Sequence, residues 1–381
     1  MAASPTIDVE KERTSFDDAL SLIRELKASP APAEKLAALL PERAAIYAGR
    51  RSDEVSQLRG CILAAFETIG LPPAAVPFVY EELESGDNAY AVAAAARALR
   101  GAERSLVPAV PFLLRAIDRF RAADDIVDFG DAPHGAPSTT VLAELLRALA
   151  RLGPGAANAR AALSSMEDDA DSFSEPVRAE IQAALAAARG ADPEVADCCA
   201  GPVETVSAPR RFGFALDLIQ GIQLQDQDGT RITFRDFFVG RPSILTFFYT
   251  RCQMPEKCSL SIAKLGRLQR AIAQSHLADN VNVAAITYDP VFDLPPRLRA
   301  YGADRGMVFD ERNRLLRSVK GFPMLQRHFD LGVNYGDVTV NRHRLELFVL
   351  DHLGAVATTF TRTQWSEDGV FAALQTCLSH C

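Results

Sequence analysis

Ser243-Ile-Leu-Thr-Phe-Phe-Tyr-Thr-Arg-Cys-Gln-Met-Pro-Glu-Lys-Cys-Ser-Leu260 is an apolar run that opens into two cysteines just before a helix-like segment. Ile244 to Tyr249 has the length and the β-branched and aromatic content of a buried central strand. The loop with Cys252 and Cys258 therefore leaves that strand's carboxyl end, where open α/β sheets carry their chemistry. A helix starting near Ser259 directs its N-terminal partial positive charge toward Cys258. Arg251 and Lys257 add positive charge, and all three influences favour thiolate over thiol. A thiolate is both a nucleophile and a soft metal ligand.

Downstream of this stretch, strand and helix patterns alternate as Ser261 to Ser275, Val281 to Tyr288, Pro296 to Tyr301, Arg312 to Val319, Leu345 to Leu350, Ala355 to Phe360 and Ser366 to Ser379, an α/β order. Upstream, 212–239 reads as short strands around the turn Asp226-Gln-Asp-Gly229, a β-hairpin entry to the sheet. In 190–211 the helical period fails and Gly, Asp, Pro, Val and Ser dominate, so an interdomain linker is expected over 191–211.

The cysteine stretch resembles the Sco/SenC family, thioredoxin-like proteins that handle copper for cytochrome oxidase assembly. Two further motifs follow in the family's order. Tyr288-Asp-Pro-Val-Phe-Asp-Leu-Pro295 is similar to its Asp-Pro-x-x-Asp-Thr-Pro segment, continued by Arg297-Leu-Arg-Ala-Tyr301. His343, followed by Leu345-Glu-Leu-Phe-Val-Leu-Asp-His-Leu-Gly354, is similar to its metal-binding histidine, strand and turn. The resemblance spans roughly 212–365 and implies a thioredoxin-like fold over 212–381, with copper bound by Cys252, Cys258 and His343. Five residues separate the cysteines and Gln253 follows the first, where the family's usual spacing is three with Pro after the first; a longer-spaced variant also belongs to it.

That donor set suits copper. Two thiolates and an imidazole form a soft, low-coordinate site for Cu(I), and a further ligand would let it accept Cu(II). In a strand from Arg342 to Leu350, His343 shares its phase with Leu345, Leu347 and Val349, so its ring faces inward. Asp289 invites a supporting role, holding a ligand or the cysteine loop by hydrogen bonds. Asp293, just before Leu294-Pro295-Pro296, reads as a helix N-cap. The same sulfurs permit thiol-disulfide exchange, since the loop can bring them to disulfide geometry. The rival reading is accordingly a metal-independent thiol-disulfide oxidoreductase or peroxide-handling enzyme. A third is a scaffold that only binds proteins.

The first half, 15–190, is rich in Ala, Leu, Glu and Arg and falls into helix-length patterns: Phe16 to Leu26, Ala33 to Tyr47, Glu54 to Ile69, Ala74 to Glu84, Ala89 to Leu99, Val107 to Arg121, Val141 to Leu152, Ala157 to Met166 and Pro176 to Ala188. Ala75-Val-Pro-Phe78 recurs as Ala109-Val-Pro-Phe112, each followed by a second Ala-rich helix. This alternation resembles HEAT repeats, helical pairs stacked into a solenoid, with Asp124 to Thr139 inserted in one repeat. The expectation is a multidomain chain, an all-α solenoid followed by the α/β domain, with the helical face docking a protein client and 1–14 disordered.

Composition narrows the partners. The 381 residues carry 41 basic and 49 acidic side chains, a net charge of -8, which argues against a general nucleic-acid binder. No apolar run approaches the roughly 20 residues of a membrane span. Most members of the family have an export signal or anchor; the first residues here show neither, so a cytoplasmic location with reduced thiols is expected. Of the other cysteines, Cys61 sits in a helical pattern as a small core residue. Cys198 and Cys199 are vicinal and could chelate a soft metal, and Cys377, His380 and Cys381 would share one face of a terminal helix, more simply by incidence.

Overall fold

Alanine-rich helices can pack backbone to backbone, and the first half does so in this computed structural model, which describes residues 15–103, 106–130, 138–189, 206–207, 216–336 and 339–379. Its helices are α1 (Phe16–Lys27), α2 (Pro32–Ala37), α3 (Ser52–Ile69), α4 (Val76–Ser85), α5 (Ala89–Arg100), α6 (Val110–Phe120), α7 (Val141–Leu152), α8 (Arg160–Asp168) and α9 (Glu175–Ala188). Caps set their starts: Ser15 accepts from the Asp18 amide at 3.0 Å while Asp18 returns the bond, and Asn88 accepts from the Ala91 amide at 3.0 Å. Neighbouring contacts align α3, α5, α7 and α9 in one row and α4 with α6 in a second. The approach is close enough that a Cβ on Gly101 would stand 1.9 Å from the Phe66 carbonyl oxygen.

The recurring Ala-Val-Pro-Phe has the same local form twice, a 3-10 turn (Pro73–Ala75, Val107–Ala109) that leads into α4 or α6 with proline in the first helical turn. The helix expected over Ala33 to Tyr47 is broken instead. Pro41 has no amide to donate, and only α2 and a 3-10 turn at Ala45–Tyr47 remain. In the Asp124 to Thr139 insertion, β1 (Ile126–Val127) pairs antiparallel with β2 (Thr139–Thr140).

The second half contains β3 (Val206–Ser207), α10 (Asp217–Gln220), β4 (Gln223–Asp226), β5 (Arg231–Thr233), α11 (Phe234–Phe238), β6 (Ser243–Phe248), α12 (Leu260–Ala273), β7 (Asn282–Thr287), α13 (Pro295–Ala303), β8 (Asn313–Ser318), α14 (Phe322–His328), β9 (Val333–Tyr335), β10 (Val340–His343), β11 (Glu346–Leu350), β12 (Val356–Thr361) and α15 (Glu367–Ser379). The main sheet runs β3-β12-β11-β6-β7-β8-β4-β5. Strands β6, β7 and β8 are parallel, and β11 is antiparallel to both β6 and β12. The inner order β7-β6-β11-β12, with α12 crossing over and α15 packed beside it, is that of a thioredoxin-like sheet. The expected hairpin is β4 and β5, closed by Gly229 at φ +85°.

His343 does not continue into the Leu345 to Leu350 strand. Residues 344–345 break the chain between β10 and β11, and His343 pairs with Val333 in a separate two-stranded sheet of β9 and β10. The phase argument therefore fails, although the side chain is buried. Helix α14 and strand β9 are absent from the sequence reading; seven residues that start on Phe322-Pro323 are too short to show a helical period.

Each half has its own apolar core, Ala19 to Leu185 in one and Ile219 to Cys377 in the other, with no residue in common. What joins them is polar. The Asn341 amide donates to the carbonyls of Tyr47 and Arg50 at 3.0 and 2.9 Å, and the Gln364 amide donates to Glu84 at 2.6 Å. Between these lies a buried ionic network of Arg59, Lys257, Arg342 and Arg362 with Glu42, Glu81 and Glu82.

Candidate metal centre

All six positions of β6 are buried, four of them apolar, which fixes where the chain must turn, so the cysteine loop begins at Tyr249 on the sheet's carboxyl edge. Asp293 ties down the loop's first residue. It accepts from the Thr250 amide at 3.1 Å, from the Thr250 hydroxyl, and from Thr287 at 2.5 Å. It is thus not the N-cap of α13, whose cap residue is Leu294 without a side-chain bond. Burial raises the Asp293 carboxyl above its ordinary value against these three donors. Asp289 pairs with Arg251, the residue before Cys252. The Phe292 ring is held between the guanidiniums of Arg251 and Arg297, each 4.0 Å from its centroid.

Five residues between the cysteines are accommodated by a π-helical turn at Pro255–Ser259, which holds Cys258 before α12 begins. This brings three donor atoms together. His343 Nε2 lies 3.3 Å from Cys252 Sγ and 3.6 Å from Cys258 Sγ, and all three lie within 4.8 Å of one another. His343 Nδ1 is 3.4 Å from the Arg344 carbonyl, a contact that fits a proton on Nδ1 and leaves Nε2 as the donor facing the sulfurs. The rings of Tyr249 and Tyr288 pack on the imidazole at centroid distances of 5.4 and 5.6 Å.

The two thiols are unequal. Cys258 is buried, and burial together with the neighbouring Cys252 charge pushes its thiol well above the usual value. Cys252 is half-buried; the bond from Cys258, helped by His343, pulls it far below, against the cost of burial. Lys257 does pull the Cys258 thiol down, as expected, but burial and the neighbouring Cys252 outweigh it, so the net shift runs opposite to the expectation. The π-turn separates Cys258 from the start of α12, and the Lys257 ammonium is committed to Glu81 at 2.7 Å and to the His343 carbonyl at 3.2 Å. Cys252 faces a cleft of about 390 Å³ between the two halves, whose far wall is Ser52, Asp53, Asp87 and Asn88.

Cys252, Cys258 and His343 are thus brought together, with Asp289 one residue removed through Arg251. Cys61 packs beside the helical core with Sγ 3.3 Å from the Tyr90 hydroxyl, and Cys377 is buried under β11. Among the described residues no cysteine is bridged. Residues 1–14, Cys198, Cys199, His380 and Cys381 lie outside the described residues. Sequence reading missed Glu81, Glu82 and Arg342, and valued Lys257 only for its charge. The signal available was Glu81-Glu82 in a helix otherwise too apolar to leave them in water.

Residues 214–379 match the model of the SCO1/SenC family. No curated protein matches the chain. Bradyrhizobium japonicum ScoI with copper bound is 25% identical over 41% of this chain and 96% of its own, with a TM-score of 0.34. A SCO1/SenC family lipoprotein from Bacillus anthracis str. Ames is 20% identical over 41% and 92%, TM-score 0.36, and yeast Sco1 with copper bound is 20% identical over 42% and 89%, TM-score 0.30. The SCO1/SenC match lies wholly within the C-terminal half, which carries all three donor residues of the site.

Proposed function

We propose that this is a copper-binding protein that holds the ion through Cys252, Cys258 and His343, as cargo for a metalloprotein client or as the partner of thiol reduction at that client's copper ligands. One observation carries the reading: a single imidazole nitrogen stands 3.3 and 3.6 Å from two sulfurs. Two soft donors and one borderline donor at this spacing match what Cu(I) takes in low coordination, and oxygen-seeking ions would be poorly served. The SCO1/SenC match over the half that holds the site supports it. Cys252, facing the cleft, is the sulfur a client would meet first, while Cys258 stays behind it. The helical rows, read as HEAT-like pairs, would dock the client in the cytoplasm.

Competitive copper titration of the wild type and three single variants tests this. His343→Ala should weaken Cu(I) modestly, since two thiolates remain, and should sharply reduce Cu(II) retention. Either cysteine variant should impair both. Wild-type protein that loses copper to a weak chelator would overturn the assignment.

The inequality of the thiols favours a second reading, a metal-independent thiol-disulfide oxidoreductase in which Cys252 attacks and Cys258 resolves. Disulfide reduction that survives His343→Ala and fails with either cysteine variant, on protein holding no stoichiometric copper, would select it.

A further inference from the structure

Two residues of the site are each preceded in the chain by a buried cation, and both cations end on α4. Lys257, before Cys258, reaches Glu81 at 2.7 Å; Arg342, before His343, pairs with Glu82. Lys257 also donates to the carbonyl of His343 itself at 3.2 Å, so one ammonium braces both segments. Among the described residues of the helical half, the two carboxylates share Arg59, at 3.8 Å from Glu81 and 3.0 Å from Glu82. One guanidinium cannot neutralise two buried carboxylates, and the balance comes from Lys257, Arg342 and Arg362 of the other half. Consecutive Cα atoms are held about 3.8 Å apart by the trans peptide, so a backbone shift at Lys257 or Arg342 is passed directly to Cys258 or His343.

We propose that the helical half is a working part of the thiol–imidazole site, with Glu81 and Glu82 as positioning residues that set Cys258 and His343 relative to Cys252 through Lys257 and Arg342. The inference rests on the reading of those three residues as the site. A passive seam between halves would need charge balance somewhere along its area; it would have no reason to spend both cations beside site residues and one on the imidazole's own backbone. Lys257 stands, buried, on the π-turn that the five-residue cysteine spacing accommodates.

The test uses the full chain. Glu81→Gln with Lys257→Met, and Glu82→Gln with Arg342→Met, remove charge on both sides of each pair. Arg147→Met with Glu180→Gln removes a remote pair of the helical half, 2.8 Å apart, as control. With folding verified by circular dichroism, the two seam variants should bind Cu(I) about 10- to 100-fold more weakly, as expected when the groups that orient a ligand are lost. They should also change the rate of Cys252 alkylation by iodoacetamide in metal-free protein, while the control matches the wild type. Folded seam variants equal to wild type in both readouts would overturn the proposal. A wild type that does not bind copper removes the copper reading alone, and the alkylation rates still decide the positioning. Should the seam variants not fold, hydrogen exchange on the wild type decides: alkylating Cys252 should alter exchange in Val76–Ser85, and a change confined to the C-terminal half would overturn the proposal.

Discussion

Strand β6 and helix α4 are both removed from water, and they are removed in opposite ways. Every position of β6 is buried, and Ile244, Leu245, Phe247 and Phe248 fill a core whose attractions have no preferred direction. Helix α4 buries Phe78, Val79 and Leu83 too, with Glu81, Glu82 and Glu84 beside them. Its carboxylates are tolerable only while specific cations from elsewhere in the chain stand opposite. The strand depends on volume, the helix on partners, and the partners belong mainly to the other half. Burial alone therefore says little about what a position will tolerate.

Acid should separate the two regions most. Burial opposes ionisation of Glu42, yet Arg362 outweighs it and holds the carboxyl at about 2 instead of 4.5; Glu81 and Glu82 are held low likewise by Lys257, Arg362, Arg342 and Arg59. Depressed carboxyls stabilise the native state above their unfolded value and lose that contribution as pH falls through the native one. Stability measured by urea unfolding should thus hold from neutrality to about pH 4.5, then fall toward pH 2. Glu84, raised by burial, works with the opposite sign and should soften the upper end of the fall. A stability that does not decline below pH 4.5 would deny the network its role.

Next in size is Glu81→Ala, which leaves Lys257 and part of Arg362 buried without a counter-charge. The loss should be about 3–5 kcal/mol by denaturant unfolding. On the apolar side, Ile244→Val removes one methylene from β6 and should cost only about 0.5–1.5 kcal/mol. If it costs as much as the charge variant, the contrast is broken. Smallest is Glu180→Ala, on a pair with Arg147 whose side chains are 22% and 40% exposed; about 0–1 kcal/mol is expected, and it should shrink further in 1 M salt while the effect of Glu81→Ala persists.

The same contrast explains what could be read from the sequence. Run length with β-branched and aromatic content exposed β6, a strand buried at every position, and helical periodicity exposed α3, α5 and α7. The three residues that cluster were legible too, as two cysteines after a strand and a histidine before one. The ionic network was not. Arg342 and Glu82 are 260 positions apart, and nothing in either neighbourhood names the other. Asp293 was misread for a related reason: an Asp before Leu-Pro-Pro is the local pattern of a cap, while its actual partners are Thr250, in the cysteine loop, and Thr287, at the end of β7. Local rules found what is satisfied locally.

The π-turn at Pro255–Ser259 also bears on descent. In a loop two residues shorter, the residue before the second cysteine would not stand on this turn, and Glu81 would lose the ammonium that meets it at 2.7 Å while keeping Arg362, Arg342 and Arg59. Conversely, Lys257 on the lengthened loop would be buried without its carboxylate if Glu81 were absent. The lengthened loop and the helical half should be gained and lost as a pair across homologous chains, with Lys257 and Glu81 varying together although they lie 176 positions apart.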